Sequence, residues 1–166
     1  MKKIWILLVL VSVLSSCLKK NELPDQPQIT NYRFVIGNTG AEMFLDFTDG
    51  DGNFGLEDTD TSGVFAQCIR FYNLYAEYYE LRDGVWTHII IDPCDGGLSD
   101  PDVAFYNRVP WVKPTGQNQT QQGEIKVELN NWYLLSDYDT IRFEVKVVDR
   151  QMNESNTVII GPLVKR

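Results

Sequence analysis

Apolar and polar residues alternate in short runs through most of the chain, with the two-residue period of half-buried strands and not the 3.6-residue period of helices. Tyr32, Phe34 and Ile36 alternate with Asn31, Arg33 and Val35, and Ala41, Met43, Leu45 and Phe47 alternate with Glu42, Phe44 and Asp46. Between them Gly37-Asn38-Thr39-Gly40 supplies a turn. The run from Ile69 to Leu81 is rich in tyrosine, and Arg82-Asp83-Gly84-Val85 sets a two-residue Asp-Gly turn before Trp86 to Ile91, a strong hairpin signal. Ile125, Val127 and Leu129 alternate with Glu124, Lys126 and Glu128; Ile141, Phe143, Val145 and Val147 alternate with Arg142, Glu144 and Lys146. Val158 to Val164 closes the set, and its Pro162 assigns it to a sheet edge. In sandwich notation these are strands A, B, C, C′, E, F and G. Asn130 to Asp139 has room for one helical turn, and no longer stretch carries helical periodicity. The expected fold is all-β, an immunoglobulin-like antiparallel β-sandwich of about seven strands.

The amino terminus breaks this pattern. Lys2 and Lys3 precede an apolar run from Ile4 to Leu14, interrupted only by Ser12, and Ser15-Ser16-Cys17 follows. The run is too short for a membrane-spanning helix, which needs roughly 20 residues, and has the form of an export signal. With its small residues before a cysteine, the stretch resembles a bacterial lipoprotein precursor. The resemblance implies cleavage before Cys17 and acylation of it, and several acyl chains make a stable anchor. Leu18, where an aspartate would retain the protein at the inner membrane, implies outer-membrane sorting and leaves open a periplasmic or surface face. Leu18 to Gln28 is polar, contains Pro24 and Pro27 and reads as a tether. The chain thus divides into a signal peptide (1–16), a lipidated cysteine with a flexible tether (17–28) and the sandwich (29–166).

Charge narrows the partners. The formal net charge is −8, and removing residues 1–16 with their two lysines takes it to about −10. The Lys and Arg residues are scattered among acids, so nucleic acid is excluded as a partner. A membrane, reached through the lipid, and an envelope protein or glycan remain. With Cys17 lipidated, Cys68 and Cys94 form an even pair in an exported chain and are expected to join as a disulfide. A hairpin register set by Arg82 and Val85 would place Cys94 opposite Asn73, so this pairing requires a bend after Cys68.

Candidate chemistry gathers at one end. With strands running up and down, the B–C, C′–E and F–G connections emerge together, and strand A begins there too. They bring Asp49, Asp51, Asn53, Glu57, Asp58 and Asp60 from one loop, Asp92, Asp95, Asp100 and Asp102 from a second, and Asp149, Asn153 and Glu154 from the third. Asp49-x-Asp51-x-Asn53 has the alternate-residue spacing by which calcium loops present oxygens. Asp49, Asp51, Asn53, Glu57 and Asp149 are the expected ligands of a structural calcium ion. In the alternative, Asp and Asn cap turns and Arg150 pairs with a neighbouring carboxylate. No catalytic motif accompanies them: His88 is the only histidine and lies in a strand, and no serine elbow, zinc spacing or phosphate loop is present. The tyrosines and tryptophans could form a sugar platform, but core packing is the favoured role.

Taken in order, Phe47-Thr48-Asp49-Gly50-Asp51-Gly52-Asn53-Phe54-Gly55, Arg82-Asp83-Gly84-Val85, Arg108-Val109-Pro110 with Gly123-Glu124-Ile125, and Asp149-Arg150-Gln151-Met152-Asn153-Glu154-Ser155-Asn156 resemble the landmarks of small Ig-like lipoproteins from Bacteroidota. The resemblance implies the location and the fold and carries no catalytic residues. The expected function is a membrane-anchored, non-catalytic envelope module that binds or assists through the loops at one end of the sandwich. The alternatives are a polysaccharide-acting enzyme of unrecognised type and a purely structural envelope lipoprotein.

Overall fold

The computed structural model describes residues 23–90, 94, 105–115 and 119–165. Among these, eight strands follow one another as β1 (Gln28–Ile36), β2 (Ala41–Asp49), β3 (Leu74–Arg82), β4 (Val85–Ile89), β5 (Tyr106–Asn107), β6 (Gln121–Leu129), β7 (Thr140–Val147) and β8 (Val158–Val164). They form two antiparallel sheets, β1-β2-β6 and β4-β3-β7-β8, with the short β5 also paired to β3. This is the A-B-E and C′-C-F-G arrangement of an Ig-like sandwich, and β8 with its Pro162 lies at a sheet edge as expected.

The two-residue period decides what faces inward. Met43 and Leu45 on β2 and Ile141, Phe143, Val145 and Val147 on β7 are fully buried between the sheets. Tyr78 of β3 joins them, its ring stacked on Phe105 at 5.3 Å. The outward positions carry charge instead: Lys126 reaches Glu42 at 2.6 Å and Glu128 at 2.9 Å across the face of the first sheet.

Strand C is shorter than its tyrosine-rich run suggests. Cys68–Phe71 is a 3-10 turn, and β3 begins only at Leu74. Asn73 marks the boundary, because its side chain is tied in both directions to Val109, accepting from the N–H at 2.6 Å and donating to the C=O at 3.1 Å. The Tyr75 hydroxyl lies 2.9 Å from the Ile69 carbonyl and 2.7 Å from that of Tyr72, holding the turn against the sheet. The hairpin register is the expected one, Arg82 against Val85 and Tyr78 against Ile89. The 3-10 turn supplies the bend that Cys68 needs, and the Cys68–Cys94 disulfide is formed with Cα atoms 5.7 Å apart. No helical turn forms in 130–139, which holds only turns and bends.

The tether is partly held. The expected signal peptide, Cys17 and Leu18 lie outside the described residues, but Leu23 to Pro27 lie along the sandwich. The Gly50 N–H donates to the Pro24 carbonyl at 2.8 Å, and the Gln26 amide donates to the Glu154 carbonyl. A side chain at position 50 could not be accommodated, since its Cβ would sit 2.3 Å from the Leu23 carbonyl oxygen. The chain therefore enters the sandwich against the loops that follow β2 and β7.

Candidate metal centre

Register builds the site. Asp49 ends β2 at the inward position that continues Met43, Leu45 and Phe47, and Asp149 stands two residues beyond inward-facing Val147 at the end of β7. One carboxylate from each sheet is thereby turned into the mouth of the sandwich. Asp49 is 0% exposed and Asp149 1%. Asp51, half-buried on the loop after β2, completes a group in which one carboxylate oxygen from each of the three residues lies within 4.8 Å of the other two.

Backbone and amide donors fix two of the three. Asp149 Oδ1 accepts from the N–H groups of Gln151 and Asn153, both at 2.8 Å, and its Oδ2 accepts from the Asn153 amide at 2.7 Å. Asp51 Oδ2 accepts from the side-chain amides of Asn53 at 2.6 Å and Gln151 at 3.2 Å. Asp49 Oδ2 accepts from the Phe54 N–H at 3.0 Å, but its Oδ1 is buried with no hydrogen-bond partner, as is Asn53 Oδ1. The loop can fold this tightly because Gly52 takes φ +71°, where a Cβ would overlap the Gln119 carbonyl oxygen.

The electrostatics are unbalanced. Burial pushes Asp49 up from its ordinary 3.8 to about 6, with the Phe54 N–H opposing and the charge of Asp51 adding to the rise. Burial also raises Asp51, and the charges of Asp149 and of Asp25 on the tether add to it. Among the described residues, no Lys or Arg forms an ion pair with Asp49, Asp51 or Asp149. Arg150 is drawn away, 3.0 Å from Asp60 and 3.6 Å from Glu57, with its guanidinium over the Trp111 ring.

Four of the five expected ligands are brought together, and Glu57 is not. Its carboxylate is exposed and engaged with Arg150 and the Thr59 hydroxyl, because the chain turns outward after Leu56 and Asp60 caps the Glu57 N–H at 2.9 Å. The pairing of Arg150 with a neighbouring carboxylate thus holds for Glu57 and Asp60 and does not extend to the buried cluster. Asp92, Asp95, Asp100 and Asp102 lie outside the described residues. Glu154 pairs instead with Lys146 at 2.9 Å. The contribution of Gln151 is not signalled by its residue type; only its place two residues after Asp149 could have suggested it. Elsewhere His88 lies 2.8 Å from Glu77 and stacks on Tyr79, while Tyr78 and Trp132 are core residues.

The three carboxylates make an all-oxygen donor set, with the Asn53 amide beside it on Asp51, which suits a hard cation of the calcium or magnesium type and not zinc or copper. No protein-family model, curated protein or solved structure matches the chain.

Proposed function

We propose that the chain is a non-catalytic, calcium-organised module of the cell envelope, held to the outer membrane by lipid on Cys17. One observation carries the metal reading: Asp49, Asp51 and Asp149 converge in the mouth of the sandwich with a buried, unpartnered Asp49 Oδ1 and no cation of the protein paired with them among the described residues. A calcium ion there would draw on Asp49, Asp51, Asp149 and Asn53, and would tie the loop after β2 to the loop after β7. Its role is structural, since it offsets the repulsion that otherwise opposes packing of the two sheets at this end.

The tether supports an orientation. Leu23 to Pro27 lie at the metal end, and the six residues from Cys17 to Glu22 span at most about 20 Å. The metal end therefore faces the membrane and the opposite end faces outward.

Isothermal titration of metal-stripped protein with calcium should show one site, and Asp49→Asn with Asp51→Asn should abolish it. Absence of binding at millimolar calcium, or binding indifferent to the double change, refutes the metal reading. The anchor is tested separately. Intact mass of membrane-extracted protein should start at Cys17 with added acyl chains, and a soluble product with an unmodified cysteine would refute it.

A further inference from the structure

The end of the sandwich opposite the metal centre holds a hollow of about 680 Å³. One wall is the turn between β1 and β2, where the Gly37 N–H donates to the Gly40 carbonyl at 2.8 Å. The other wall is the start of the connection between β6 and β7. Asn38, Thr39, Asn130, Asn131, Trp132 and Tyr133 supply most of the side chains that line it. In a protein of net charge −8, no lining residue is charged.

The walls are held in place before any ligand arrives. Trp132 is 4% exposed and meets Phe34 edge-on at 5.8 Å and Tyr133 at 4.9 Å. The Leu134 N–H donates to the hydroxyl of core residue Tyr78 at 3.2 Å. Gly40 lies so close to the facing strand end that a Cβ there would sit 2.9 Å from the Leu129 carbonyl oxygen. Such preorganisation lowers the entropy cost of binding.

We propose that this hollow binds a neutral oligosaccharide. The size is that of a small-molecule site. Amides and a threonine hydroxyl both donate and accept, which matches the mixed donors and acceptors of sugar hydroxyls, and the half-buried Tyr133 ring, backed edge-on by the buried Trp132, offers the apolar surface that a pyranose ring face covers. The absence of charge selects against anionic glycans and leaves no partner for the charged side chains of a typical peptide. A second hollow of about 500 Å³ adjoins across Tyr133, Leu134 and Leu135 and is lined by Asp137, Asp139 and Lys165. Its charges limit the neutral subsite to the β1–β2 side of Tyr133. The inference does not depend on the metal or the lipid, though it places the ligand at the outward end.

Affinity electrophoresis of the full chain through gels containing soluble β-glucan, galactomannan, xyloglucan or α-mannan tests it, with polygalacturonate as the anionic control. At least one neutral polymer should retard the protein and polygalacturonate should not. Tyr133→Ala should weaken the retardation at least about tenfold, and Asn131→Ala, at an exposed position, should weaken it without altering the melting temperature. The binding should also persist in chelator. Retardation by none of the neutral polymers, retention on a peptide array alone, or retardation unchanged by both substitutions overturns the proposal.

Discussion

Replacing Glu80 by glutamine should lower the unfolding free energy by about 3 to 5 kcal/mol, the range for breaking a buried ion pair from one side. Glu80 occupies an inward position on β3, beyond Leu74, Ala76 and Tyr78, and is 0% exposed. Its carboxylate accepts from Arg82 Nε at 3.0 Å and Nη2 at 2.7 Å, from the Ser136 hydroxyl and from Lys165 Nζ at 3.3 Å. The Lys165 side chain is itself only 7% exposed, so a neutral partner strands its charge. Burial alone would raise the Glu80 pKa, but the bonds from Ser136, Arg82 and Lys165 together lower it. A lowered carboxylate pKa contributes stability that is complete above the unfolded value of 4.5 and is lost as pH falls through the folded value. Chemical denaturation at pH 7 and pH 3 measures both effects. Replacing Glu80 and Lys165 together by methionine should cost less than half as much as glutamine alone, because the buried lysine charge leaves with its partner and Arg82, 38% exposed, keeps its access to water. A loss under about 1 kcal/mol for Glu80→Gln would show the network to be dispensable.

The sequence carried the sheets and not the connections. The strict alternation of 125–129 and 141–147 is visible without a structure because each strand has one wet face, and the Asp-Gly turn fixes β3 against β4 for the same local reason. The start of β3 was not legible. Tyrosine and β-branched residues suit a strand wherever they occur, and only a long-range bond from Asn73 to Val109 ends the strand at Leu74. β5 is two residues long and has no pattern to read. In the site, Asp49 and Asp149 could be extrapolated by continuing the odd-numbered inward positions past Phe47 and Val147. Glu57 falls outside the cluster because the chain turns outward after Leu56, where Asp60 caps the Glu57 N–H and Arg150 engages its carboxylate, and residue spacing along the chain does not reveal that turn. The clamp of Leu23 to Pro27 on Gly50 is a tertiary contact that a polar, proline-bearing composition conceals.

Inward carboxylates stand at both ends of this sandwich, and the contrast between them yields the remaining large effect. Glu80 has Arg82 and Lys165 beside it, whereas Asp49 has no cation paired with it among the described residues and is pushed up to about 6. Between its ordinary 3.8 and about 6 the folded, metal-free protein holds a proton that the unfolded chain has released. Stability must then fall as pH rises through that window, by about 3 kcal/mol. Asp49→Asn removes the part of the slope that Asp49 contributes: asparagine keeps an acceptor for the Phe54 N–H and never charges. Metal-free Asp49→Asn should therefore be more stable than the wild type at pH 8 by about 2 to 3 kcal/mol and equal to it near pH 4. Calcium reverses the ranking. At a hundredfold excess over its dissociation constant it should stabilise the wild type by about 2.7 kcal/mol and leave the variant unchanged. That gain should fade below pH 6, because the metal must displace the proton that Asp49 then holds. Denaturant melts of both proteins at pH 4, 6 and 8, with calcium and with chelator, decide the matter. A variant less stable than the wild type in chelator at pH 8 would mean that the Asp49 charge is compensated within the protein, leaving no need for a cation in the mouth of the sandwich.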